Sequence, residues 1–212
     1  MIAFARRTLL LAAAAATMAG SALAAEKVIE AKKMFPYLEA FLKLPAAERT
    51  RFSPTYVIRQ DGHPANQAMW LVEGATRTPL RLVDGRVQRL PTLAQLESAK
   101  VAIDADPATK FSVAMDVLPA APPAAEMDAR DLAASVAQAE AGVRKLAGPM
   151  GFMAPKITEA LFHGASGGEL RFADGRRAAL PLDKGVPAFS PAKAPGAVSV
   201  RFAKPPAWVE LN

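Results

Sequence analysis

Three features of the sequence predict an α+β fold built on antiparallel sheet: two Asp-Gly dipeptides between short apolar runs, one long stretch of helical apolar periodicity between them, and two similar segments 90 residues apart. Asp-Gly signals a two-residue type I′ hairpin turn, because both central residues need positive φ and glycine supplies it without strain. Asp84-Gly85 and Asp174-Gly175 each interrupt runs rich in Leu, Val, Phe and Arg. The surrounding segments, Ala68–Pro91 and Thr158–Pro181, match without a gap at ten of 24 positions, among them Leu71/Leu161, Gly74/Gly164 and Asp84-Gly85-Arg86/Asp174-Gly175-Arg176. The expectation is an internal repeat at an offset of 90. It makes two related antiparallel β units, packed as a sandwich or a barrel-like core.

Residues 1–24 have the three-part layout of an export signal. Arg6 and Arg7 precede an apolar stretch from Leu9 to Ala19, and Ala22-Leu23-Ala24 places small residues for cleavage after Ala24. The apolar run is far shorter than the roughly 20 residues a spanning helix needs. The paired arginines fit both the general secretory and the twin-arginine route. Residues 25–212 then form a single globular domain, expected in the periplasm, or outside the cell where the host lacks an outer membrane. No transmembrane segment is expected in that mature chain.

Residues 25–52 read as an N-terminal helical region. Phe35, Leu38, Phe41 and Leu42 share one side, Pro36 suits a first turn, and Pro45 suits a second start at Leu44–Arg51. Residues 53–119 form the first β unit, with strand-like runs at Tyr56–Arg59, Met69–Val72, Val101–Ile103 and Phe111–Val117. Each repeat is a three-strand meander, opened by Met69–Val72 or Leu161–Phe162 and turned at Gly74 or Gly164. After a linker at 120–127, Asp128 caps a central helix over about 128–147. Leu132, Val136, Ala139, Val143, Leu146 and Met150 form one apolar stripe, and Gly148-Pro149 ends the regular helix before Met150.

The helix and the apolar segment behind it occupy 128–155, and the second β unit 156–212, with strands at Val198–Phe202 and Trp208–Leu211. Pro181, Pro187, Pro191 and Pro195 predict a long surface loop or covered edge over 181–197, since proline cannot donate to a ladder. A two-residue loop sets Leu82 against Val87, but the same register sets Phe172 against Arg177. That mismatch predicts either an edge position for Arg177 or a bulged second hairpin.

Composition excludes more than it assigns. The chain holds no cysteine, which removes thiol catalysis, thiolate metal sites, disulfides and acylated anchors together. The formal charge of +6 falls to +4 without Arg6 and Arg7, and no block of like charge appears, so nucleic acid is not an expected partner. His63 and His163 lack the close His or Asp/Glu partners of recognised zinc motifs, and no metal or other cofactor is expected. Gly164-Ala165-Ser166-Gly167-Gly168 is not a nucleophile elbow and falls at a turn between strands. Glu73, Asp84, Asp104, Asp116, Glu159 and Asp174 stand in no distinctive spacing, so no catalytic residue is assigned.

The candidate contact residues are Arg81, Arg86, Arg171 and Arg176, whose guanidinium groups suit carboxylate or sulfate. Met150, Phe152 and Met153 read first as a plug between helix and sheet, since the apolar face of the helix runs on into them, and an adaptable apolar contact surface is the alternative. The functional expectation is an exported, non-catalytic periplasmic module that binds a protein partner or envelope component. The alternatives are a hydrolase of cell-wall or polysaccharide bonds using carboxylates, and a carrier of an apolar ligand.

Overall fold

Strands form where apolar residues alternate or cluster between turn residues, and the long apolar stripe after Asp128 forms a long helix. The computed structural model describes residues 26–148 and 155–212. Residues 1–24, expected as an export signal, and Met150, Phe152 and Met153 lie outside the described residues. The first half runs β1 (Glu26–Glu30), α1 (Ala31–Met34), α2 (Leu38–Lys43), β2 (Phe52–Gln60), β3 (His63–Pro64), β4 (Met69–Glu73), β5 (Thr76–Pro79), β6 (Leu82–Val83), β7 (Arg86–Val87), α3 (Leu93–Ser98), β8 (Lys100–Asp104) and β9 (Phe111–Pro119). The second runs β10 (Glu126–Asp128), α4 (Ala129–Leu146), β11 (Ala160–His163), β12 (Glu169–Phe172), β13 (Arg177–Ala179), β14 (Leu182–Asp183), β15 (Val186–Phe189), β16 (Ala197–Arg201) and β17 (Trp208–Leu211).

The fold class is α+β, and every strand pairing is antiparallel. Among the described residues four sheets form, none closed into a barrel: β1-β8-β4-β5, β9-β2-β7-β6 with β3 folded back on the end of β2, β10-β16-β12-β13, and β14-β15-β11-β17. The edge strands β9 and β17 pack side by side, so the second and fourth sheets meet along a seam. One hydrophobic cluster joins both halves. Tyr56 and Ile58 of β2, Phe162 of β11, Val101 and Ile103 of β8 and Val200 of β16 are all buried in it, with Leu132, Val136 and Ala139 of α4.

The predicted helix is present, with Asp128 Oδ1 accepting from the Arg130 and Asp131 amides at 2.7 and 3.1 Å. Its Gly142 lies against Phe52, which in turn meets Phe41 edge-on at 5.4 Å. The N-terminal helical region is shorter than expected. Residues 26–30 form β1 rather than helix, because Ile29 and its neighbours extend along β8. Pro36 falls between α1 and α2, where its carbonyl accepts 2.6 Å from the Tyr56 hydroxyl, and Leu44–Arg51 holds one 3-10 turn. Burial pushes that Tyr56 phenol well above its ordinary range. The expected linker contains β10, and α3 interrupts the first β unit with a capping box, Thr92 and Gln95 each bonding the other's backbone amide.

Residues 181–197, expected as a long surface loop or covered edge, hold the hairpin β14–β15, with β14 at the edge of its sheet and β15 inside it. Pro187 is tolerated because the pairing of β15 with β11 covers only Ala188 and Phe189, so the missing donor costs no ladder bond. Residues 190–196 remain turns.

The 90-residue repeat is not confirmed. Leu71 stands in β4, between β8 and β5, whereas Leu161 stands in β11, between β15 and β17. Neither segment is a meander: the chain changes sheet between β5 and β6, and again between β11 and β12. The two Asp-Gly turns also differ. Asp84 and Gly85 both have positive φ, at 50° and 75°, and Leu82 pairs with Val87. In the second hairpin only Gly175 is left-handed, and Arg171 pairs with Arg177 across a longer, three-residue loop, on the edge strand β13.

Candidate functional site

Arg86 is placed by the tightness of the turn before it. A Cβ on Gly85 would stand 2.5 Å from the Ile58 carbonyl oxygen, and the Ile58 amide donates to the Gly85 carbonyl at 2.8 Å. The β6–β7 hairpin is thereby fastened to β2, with Arg86 opposite Val57. A second glycine places the other half of the site. Gly164, at φ 78°, packs where a Cβ would meet the Ala207 side chain at 2.8 Å, and the Ala207 amide donates to the His163 carbonyl at 2.8 Å. Trp208 is then the cross-strand neighbour of His163.

The two halves meet in a row of side chains along the seam. The His163 and Trp208 rings stack at 3.8 Å with 2° between planes, and His163 Nε2 lies 2.8 Å from Glu210 Oε2. From the other half, the Arg86 guanidinium carbon lies 4.5 Å from the Trp208 ring centroid. Its Nη2 pairs with Asp116 Oδ2 at 3.1 Å, while Nη1 is buried with no hydrogen-bond partner among the described residues. The side chains of both pairs are about a fifth to a quarter exposed. An open groove of about 800 Å³ runs over this row, lined also by the exposed Arg59 and Val83. A second, more apolar cavity of about 500 Å³ lies between α4 and the seam strands, lined by Met115, Val117, Val143, Leu146 and Leu211.

Of the four arginines singled out from sequence, the structure brings only Arg86 into this groove. Arg81 is exposed between β5 and β6. Arg171 bonds Glu169 at 3.0 Å, and Arg176 lies 3.8 Å over the Phe172 ring, beside Asp174. His63 is exposed on β3, and among the described residues no three His, Asp or Glu side chains converge as a metal site. Asp116, His163, Trp208 and Glu210 complete the row, and the sequence does not mark them as contacts. Their signal was alternation: Trp208 and Glu210 share one face of the strand expected at 208–211, and that face carries no other aliphatic anchor. Alternation identifies a face but not what lies across from it.

No known protein family, no curated protein and no solved structure matches this chain.

Proposed function

We propose that this chain is an exported, non-catalytic binding module whose contact surface is the seam groove. The observation that carries the reading is Trp208, held between Arg86 of one half and His163 of the other in a groove large enough for a peptide side chain or a sugar unit. Aromatic and arginine side chains are the residues that most often anchor partners. Catalysis is less well served. Asp116 and Glu210 are each already engaged, by Arg86 and His163, and among the described residues no hydroxyl or amine is hydrogen-bonded to His163. No described helix is long and apolar enough to cross a membrane.

The hydrolase reading keeps one supporting observation, that both carboxylates line one groove. Loss of cell-wall or polysaccharide cleavage in Glu210→Gln, with the parent active, would establish it in place of the binding module.

Two measurements test the proposal. Intact mass of envelope protein should show a chain beginning at Ala25; a full-length cytoplasmic product removes the periplasmic setting. A photo-crosslinking residue at Val83, exposed and lining the groove, should capture a partner that the same residue at Leu182, exposed on β14 outside the groove, does not. Arg59→Glu should abolish that capture. Identical products from both positions, or none from either, would refute the groove as a contact surface.

A further inference from the structure

We infer that the chain consists of two copies of one structural unit, residues 26–119 and 126–211, and that the seam is a two-fold interface between them, a dimer contact carried within one polypeptide. This stands whether or not the groove binds a partner.

The sheets correspond strand by strand. β1-β8-β4-β5 has the same chain-order roles as β10-β16-β12-β13, and β9-β2-β7-β6 the same as β17-β11-β15-β14. In both units a strand leads into helix, and the remaining strands follow in one order, with β3 and α3 as additions in the first. Backbone bonds recur at the same places. Leu80 donates to Met69 and Leu180 to Gly168, both at 2.8 Å; Gln88 donates to Arg81 at 3.0 Å and Ala188 to Pro181 at 2.9 Å. The turns between them agree as well: Asp84-Gly85 has φ of 50° and 75°, and Lys184-Gly185 has 46° and 87°. The correspondence is therefore about 100 residues, not 90. The stronger sequence match at 90 joins strands that do different work.

The contact between units has the isologous pattern, in which equivalent elements touch each other: β9 packs on β17, and α2 on α4, while the longer α4 also reaches β9 and β2 of the first unit. Positions along the seam can then be matched. Val57 pairs with Arg86 and Ala114, and Thr55 with Asp116. In the second unit His163 pairs with Trp208, and Leu161 with Glu210 and Ala188. Carrying that register two residues further sets Val186 against His163. Asp116 and Glu210 are thus equivalent acids, one from each unit. The other three positions have diverged in complementary fashion: Val57 for His163, Arg86 for Val186, Ala114 for Trp208. Small side chains of the first unit leave the room in which Arg86 reaches Trp208. One asymmetric groove results, rather than two equal ones.

The equivalence assigns Val186 a property its own surroundings do not advertise. An arginine there should reach Glu210 as Arg86 reaches Asp116. In a His163→Val background, which frees Glu210, a double-mutant cycle between Val186→Arg and Glu210→Ala should give a coupling of about fivefold or more in the folding equilibrium constant. Asp183→Arg, on β14, should give none with Glu210→Ala. Coupling below about twofold for Val186→Arg, or equal coupling for the two arginines, would overturn the inference. Should His163→Val fail to fold, replacing residues 181–186 by the sequence of 81–86 in the otherwise unchanged chain provides the second test. Retained far-UV circular dichroism and a cooperative melt are expected, and a molten product would count against equivalence.

Discussion

Removing Asp116 leaves the Arg86 guanidinium in an unfavourable position, because one of its two terminal nitrogens already lacks a partner. Unit charges about 4 Å apart attract by about 4 kcal/mol at an effective dielectric near 20. Lost hydration of two largely covered groups offsets about half of that, leaving a net coupling of about 2 kcal/mol. Asp116→Ala should therefore cost about 3 kcal/mol, since it strands a covered cation as well as breaking the pair. Arg86→Met keeps the aliphatic stem but loses the pair and the contact with Trp208, for about 2.5 kcal/mol. The double variant should lose only about 3.5 kcal/mol, because no orphaned charge remains. Urea midpoints followed by circular dichroism give all three values, and the Asp116→Ala loss corresponds to about 6–12 °C in Tm. Additivity of the two changes within about 0.5 kcal/mol would refute the reasoning and reduce the pair to a solvated surface contact.

Glycine substitutions separate backbone strain from crowding. Gly85→Ala combines positive φ with a clash against a backbone oxygen and should cost about 3 kcal/mol, whereas Gly175→Ala meets nothing within 4 Å and should cost about 1 kcal/mol in the same urea assay. Gly142→Ala should destabilise by about 1–2 kcal/mol despite the better helix former, because Phe52 is buried against Phe41 and cannot withdraw; a raised midpoint would show that it can. Lys184→Asn should raise the midpoint by about 0.5 kcal/mol, since asparagine tolerates the left-handed conformation that lysine is forced into here.

Local chemistry accounts for what the sequence made legible. The α4 stripe and its Asp128 cap are written within one stretch of chain, and so are Asp84-Gly85 and the strand at Trp208–Leu211. The α3 capping box is equally local, in Thr92 and Gln95. β1 was hidden because an edge strand with few apolar residues takes its order from β8, far along the chain. The Pro187 position misled because proline is excluded by a ladder bond, and the ladder there is too short to need one. The seam row was illegible for a deeper reason. Arg86, Asp116, His163 and Trp208 come from four strands of two sheets, and no spacing along the chain encodes which edge strand lies beside which.

The packing of β9 on β17 has a consequence for amide exchange. Among the described residues no ladder joins these strands, although β9 pairs with β2 over its whole length. Alternate amides of β9 point toward β2 and are locked in that ladder, while those between them point toward the seam. Protection should then alternate along residues 111–118, one amide exchanging only with global opening and the next through local fluctuation. The seam strand would show a comb of slow and fast protons, and the fast teeth would slow when a partner fills the groove.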